Sequence, residues 1–160
     1  MNAAPSAPTR RVFLRKLLAV ATGLAGALSL GLGRPALAAW PARAFAAKTE
    51  TGAEQELFAG AGIADSAAIR LELPALAEDG SVVPLTIDTD LPAVESISVF
   101  SDKNPFPLIA RFEYGPGAIG GYVSTHIKLA ESAYVTVIAQ SQGRLCRARK
   151  FVTVLKGGCN

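Results

Sequence analysis

From Ile69 to Leu155, apolar and polar residues alternate in short runs, the period of half-buried β-strands. "IRLEL" puts Ile69, Leu71 and Leu73 on one face and Arg70 and Glu72 on the other. "VVPLTID" repeats this with Val83, Leu85 and Ile87, and Pro84 argues for an edge strand. "ESISVFS" contributes Ile97 and Val99, and "LIARFEY" contributes Leu108, Ala110, Phe112 and Tyr114. "YVSTHIKL" turns Val123, Ile127 and Leu129 inward and Tyr122, Ser124, His126 and Lys128 outward. "AYVTVIAQ" offers Ala133, Val135, Val137 and Ala139. The last run, Arg144 to Leu155, carries Cys146, Ala148, Val152 and Val154 on one parity. Turn signals separate the runs: "EDG" (Glu78 to Gly80), "KNPFP" (Lys103 to Pro107), "YGPG" (Tyr114 to Gly117) and "SQG" (Ser141 to Gly143). About seven such strands predict an all-β, two-sheet antiparallel sandwich.

The pattern differs before Ile69. Residues 39–50 show no period and read as a tether. "TGAEQELFAG" has Thr51 three residues before Glu54, a capping-box spacing, and Gly60 as a stop, which predicts a short helix. The domain plan is thus a leader over 1–38, a tether and helix over 39–68, a sandwich over 69–155 and an arm over 156–160.

Charge sharpens the leader. The formal net charge of +3 misleads, because residues 1–38 hold Arg10, Arg11, Arg15, Lys16 and Arg34 and no acid. Without them, eleven basic residues face thirteen acidic ones, which removes the support for a nucleic-acid partner. The remaining basic cluster, Arg144, Arg147, Arg149 and Lys150, reads as a solvated strand face or a partner surface. "TRRVFLRK" precedes an uncharged Ala/Gly-rich stretch from Leu17 to Gly33 and the small residues Ala36 to Ala38. This is a secretory signal, and Arg10–Arg11 with Phe13–Leu14 resembles a twin-arginine export signal. A second cleavage point after Ala46 is the alternative, as is an uncleaved anchor. The mature protein is expected in the periplasm, with no stable membrane insertion.

Most catalytic chemistries find no motif here. His126 is the single histidine and sits on an outward strand face. No nucleophile elbow, no His/Cys/carboxylate group with metal-ligand spacing and no phosphate loop is present. "GAIGG" near Ala118 reads as a hairpin loop. No cofactor is implied.

Two cysteines remain, Cys146 in the last strand run and Cys159 in the tail "TVLKGGCN". Their disulfide is the default pairing in an oxidising compartment. A strand from Cys146 to Leu155 spans about 30 Å, while the next four residues return at most about 14 Å. A disulfide needs Cα atoms within about 7 Å, so it closes only if the strand breaks. Lys150 interrupts the apolar parity and would be the place for a bulge. Otherwise Cys159 is a free thiol on an arm in which Gly157 and Gly158 allow free rotation. Lys156 would favour the thiolate and the carboxylate of Asn160 would oppose it, so activation falls to partner enzymes. A thiol presented without its own acid or base describes a carrier rather than an enzyme.

The tail "VTVLKGGC", with "LPALAEDGSVVPLTI", "NPFPLIARF" and "VIAQSQGRLCRARK", resembles the SoxY family, sulfur carriers of thiosulfate-oxidising (Sox) systems. The resemblance implies an immunoglobulin-like sandwich paired with a SoxZ-like companion. It implies that Cys159 holds thiosulfate-derived sulfur covalently, with Gly157 and Gly158 as the arm. SoxAX-like haem c enzymes would form a cysteine S-thiosulfonate, a SoxB-like hydrolase would release sulfate, and a SoxCD-like dehydrogenase would act where present. An exposed Cys159 would also allow a disulfide-linked homodimer. Two positions depart from the family: Asn160 replaces a terminal Gly-Gly, and Cys146 stands where an aromatic residue is usual. Cys146 reads as a small core residue or as a second redox thiol. The rival readings are an exported structural or binding module, a thiol oxidoreductase and a SoxY paralogue with altered partners.

Overall fold

The computed structural model describes residues 40–115 and 120–158. Two helices, α1 (Ala42–Ala46) and α2 (Glu50–Phe58), precede the strands. The strands are β1 (Ile63–Asp65), β2 (Ile69–Glu72), β3 (Leu76–Asp79), β4 (Val83–Thr89), β5 (Val94–Ser101), β6 (Leu108–Glu113), β7 (Val123–Ile127), β8 (Ala133–Ser141) and β9 (Arg144–Lys156). One sheet runs β1-β9-β8-β5-β6, with β3 also on β9; the other runs β2-β4-β7. The sandwich is therefore as expected, but with nine strands among the described residues rather than about seven. The additions, β1 and β3, both pair with β9 in parallel, at Leu145–Arg147 and at Thr153–Lys156. β1 buries no residue fully and β3 only Ala77, so neither shows an alternation.

Between the sheets, Val83, Leu85 and Ile87 meet Ile97, Val99, Val135, Val137 and Val152, all at most 1% exposed. These are the inward positions that the period of two selects. Each such side chain contributes about 1.5–3 kcal/mol by leaving water. The outer face of the larger sheet is also partly covered. Ala44, Ala53 and Phe58 of the helices pack on Phe100, Leu108, Ile138 and Leu145. So β5 and β8 are buried on both faces, and their alternate polar positions are not solvent positions. Ser98 accepts a bond from Arg111 Nη1 at 3.0 Å, while the Thr136 hydroxyl is buried without a partner. A register shift between Val99 and Phe100 turns Leu108 towards the helices while Ala110 and Phe112 stay inward.

Three local expectations change, and the expected Ser141–Gly143 turn is found. The tether contains α1, whose Ala44 is buried. The N-cap of α2 is Thr49, accepting from Gly52 N at 3.1 Å, not Thr51, and Ala59 in the left-handed region ends the helix. Pro84 lies in the central strand of the smaller sheet. Its flank is open because β2 pairs only with Thr86–Thr89. The β8–β9 turn has Gln142 and Gly143 both at positive φ, the type I′ geometry of a two-residue hairpin. "GAIGG" falls partly outside the described residues. Among those described, no helix is long and apolar enough to cross a membrane.

Candidate functional site: the anchored tail of β9

Strand β9 stays unbroken from Arg144 to Lys156, one residue beyond the expected end. Lys150 makes no bulge; it stays opposite Val135, and its ammonium donates to Leu73 O at 2.9 Å. That contact explains an inward-parity lysine. It also closes the route to a Cys146–Cys159 disulfide. Ten unbroken steps of roughly 3.3 Å separate Cys146 from Lys156, and the next three residues return at most about 11 Å. Cys146 is a free, half-buried cysteine opposite Ala139, packed against the core, as a small core residue would be. Cys159 lies outside the described residues.

The chain leading to Cys159 is described, and it is held. Gly80 N donates to Lys156 O at 2.7 Å, Leu129 N donates to Gly80 O at 2.8 Å, and Gly158 N donates to Leu129 O at 2.9 Å. Three segments far apart in sequence thus close a backbone relay at one end of the sandwich. The contacts leave no room for side chains. A Cβ on Gly157 would lie 2.0 Å from Ala130 O, and one on Gly158 would lie 2.1 Å from Ser81 N. A Cβ on Gly80 would lie 2.3 Å from Leu129 O. The sequence suggested that Gly157 and Gly158 serve free rotation. In the structure both are required first by close approach, and the described chain is tied down as far as Gly158.

Asp79 builds the turn that receives the tail. Its Oδ1 accepts Ser81 N at 2.8 Å, and that backbone bond, with the nearby Lys156 ammonium as a lesser cause, holds its carboxyl below the ordinary carboxylate range. Asp79 and Lys156 are register partners in the β3–β9 ladder. Val82 and Leu155 stand exposed near this end, at 60% and 69%. No histidine belongs to the relay; His126 is exposed on β7, opposite Pro84, as expected of a surface residue. Among the described residues no three His, Cys, Asp or Glu side chains could hold a metal. Three residues of the basic cluster are engaged within the chain, Lys150 through Leu73 O, while Arg144 is exposed. Arg147 Nε donates to Asp65 Oδ1 at 2.8 Å, and the Arg149 guanidinium lies 4.2 Å from the Tyr134 ring centre. The sequence flagged "EDG" and "KNPFP" as turns but offered no sign that these turns converge on the tail, because a closed relay of backbone bonds has no side-chain periodicity.

Comparison with known proteins bears on this geometry. The family model described as "Sulfur oxidation protein SoxY" matches residues 54–159. Among solved structures, the sulfur carrier protein SoxY from Chlorobium limicola f thiosulfatophilum is 33% identical, with a TM-score of 0.59 over 64% of this chain and 92% of that one. A superoxide reductase (neelaredoxin) from Ignicoccus hospitalis is 20% identical, with a TM-score of 0.50 over 66% of this chain and 92% of that one, a likeness of fold alone. No curated protein matches the chain.

Proposed function

The chain belongs to the SoxY family of sulfur oxidation proteins, and from that premise we propose that Cys159 carries thiosulfate-derived sulfur between the enzymes of a Sox system. The observation that carries the reading is a coincidence of two ends. The family match runs to residue 159, and the last described residue, Gly158, is anchored, so the thiol-bearing residue directly follows an anchored one. Its Cα lies one peptide step of 3.8 Å from a fixed point. The carrier does little chemistry itself. Asp79 is committed to Ser81, and no described side chain of the relay is a free base. Activation therefore rests with the partner.

The two core steps balance as follows. In the first, the Cys159 thiol and thiosulfate form an S–S bond. The thiol proton is released, and two electrons pass to a haem c oxidant of the SoxAX kind. In the second, water cleaves the terminal sulfur–sulfonate bond under a SoxB-like hydrolase. Sulfate and two protons leave, and a persulfide anion stays on the cysteine. A SoxCD-like dehydrogenase would take that sulfur further. The chain contributes attachment and presentation, with no catalytic step of its own.

The setting follows from the same reading. Residues 1–38 serve as a twin-arginine leader, and the protein works in the periplasm with a SoxZ-like companion. Cleavage after Ala38 fits better than cleavage after Ala46, because the latter removes α1 and the buried Ala44. Without the companion, Cys159 forms a disulfide-linked homodimer. The test is Cys159→Ser in a reconstituted system. Thiosulfate-dependent turnover should vanish while folding is kept, and Cys146→Ala should keep turnover. Intact-mass analysis of the wild type should show reductant-sensitive sulfur adducts on the C-terminal peptide. Adducts on Cys146, or turnover surviving in Cys159→Ser, would leave the structural-module reading in its place.

A further inference from the structure

The tail is fastened through two peptide groups, and a single side chain grips both from behind. These are the Lys128–Leu129 and Leu129–Ala130 peptides. In the first, the N–H of Leu129 donates to Gly80 O, and the carbonyl of Lys128 accepts Asn104 Nδ2 at 2.8 Å. In the second, the carbonyl of Leu129 accepts Gly158 N, and the N–H of Ala130 donates to Asn104 Oδ1 at 2.9 Å. Every polar atom of the two peptides that does not hold the tail or its turn is held by Asn104. The Leu129 side chain is fully buried and pins its Cα, so the freedom left is rotation of the two peptide planes about it. Asn104 removes that freedom. Its own placement is fixed by a bond from its N–H to Ser101 O at 3.3 Å and by the Ser101 hydroxyl, 3.4 Å from Oδ1. Pro105 after it further limits its backbone.

We propose that Asn104 is the positioning residue that fixes where the carrier tail leaves the fold, acting through the two peptide groups that flank Leu129. As a role in sulfur delivery this rests on the carrier reading above; as a statement about the tail it does not. The chemistry selects asparagine narrowly. One planar group must offer a donor to Lys128 O and an acceptor to Ala130 N. Aspartate keeps the acceptor and sets a charged oxygen against a carbonyl. Leucine keeps the shape and makes neither bond.

The test reads amide hydrogen exchange at Gly158 in the mature chain, with a thiol-linked nitroxide on Cys159 in a Cys146→Ala background as a second probe. With Asn104→Leu and Asn104→Asp, Gly158 exchange should rise about tenfold while Val137 in the core is unchanged. The nitroxide spectrum should gain a fast-motion component. Asn104→Gln, which keeps donor and acceptor, should recover part of the protection, and Asn104→Ser is the milder variant if the others fold poorly. Unchanged exchange at Gly158, or an equal rise at Gly158 and Val137, would overturn the proposal, the second by showing a general loss of stability. Neither probe needs sulfur substrate or a partner enzyme. Loss of the carrier assignment would appear as turnover surviving in Cys159→Ser or as adducts on Cys146, so the two failures are separate.

Discussion

A short parallel neighbour grips each end of β9, and the two grips differ in kind. At the first end, β1 lies along Leu145–Arg147, and beyond the ladder a single backbone bond, Ser66 N to Arg147 O at 2.8 Å, is joined by a side-chain pair, Arg147 with Asp65. Asp65 is 76% exposed and Arg147 30%, so water competes for both. At the second end, β3 lies along Thr153–Lys156, and the contact beyond the ladder is backbone against backbone through Gly80, Gly157 and Gly158. Side chains can rotate away from a poor fit, whereas three peptides at van der Waals contact cannot. The first end should tolerate substitution. The second should not accept even a methyl group, and it is the end that leads to Cys159.

The largest effect that tests this contrast is at Gly80. Alanine there would put Cβ 2.3 Å from Leu129 O and 2.9 Å from Val154 Cγ1, inside an arrangement fixed on all sides. The expected cost is about 2–3 kcal/mol of unfolding free energy, read from denaturant midpoints, together with release of the tail. Gly157→Ala and Gly158→Ala come next. Their neighbours are as close, but the tail can lift off instead of the fold giving way. Global stability should fall by less than about 1 kcal/mol, while Gly158 exchange and protease sensitivity after Lys156 rise sharply. Full protection of Gly158 in Gly157→Ala would show that the glycines are there for rotation after all.

Much of the core was legible in the sequence, whereas neither grip on β9 was, since neither β1 nor β3 shows an alternation. Val83, Leu85, Ile87, Ile97, Val99, Val135 and Val137 occupy the inward positions because a strand has one dry face, and the period of two records that directly. The record fails where both faces are dry. Ser98 and Thr136 keep a polar period although α1 and α2 cover that side of the sheet. It also fails for Lys150, whose partner Leu73 O is a backbone atom of no particular residue type. The tail shows the same limit from the other direction. The pair Gly157–Gly158 was visible, but rotation and close approach select the same residue. Only the positions of Ala130 O and Ser81 N separate the two reasons.

A smaller effect belongs to Cys146, beside the first grip. It is half-buried opposite Ala139, with its sulfur filling space rather than bonding. Cys146→Ala should cost about 1 kcal/mol by denaturation and leave tail exchange unchanged. A change in tail exchange would mean that the two ends of β9 communicate, and the contrast would have to be given up.

The smallest effect is in acid, where each grip depends on one carboxylate. Asp65 is held below the ordinary carboxylate value of 3.8 by the bond from Arg147, and Asp79 below the same value by the bond from Ser81 N–H. A depressed folded pKa means that the fold prefers the ionised form. The stabilisation is complete above the unfolded value and is lost as pH falls through the folded one. Both grips should therefore hold unchanged from neutral pH down to about 4 and weaken only below it. The consequences should differ. Protonating Asp65 frees a surface arginine and leaves the tail alone, whereas protonating Asp79 slackens the turn against which Gly158 packs. Tail resonances should sharpen below pH 4 in the wild type and in Asp65→Asn alike. In Asp79→Asn, whose amide oxygen still accepts from Ser81, that pH dependence should be lost. If the sharpening set in above the carboxylate range, or disappeared in Asp65→Asn, the tail would be controlled from the wrong end of β9, and side-chain contacts rather than the glycine relay would be what holds it.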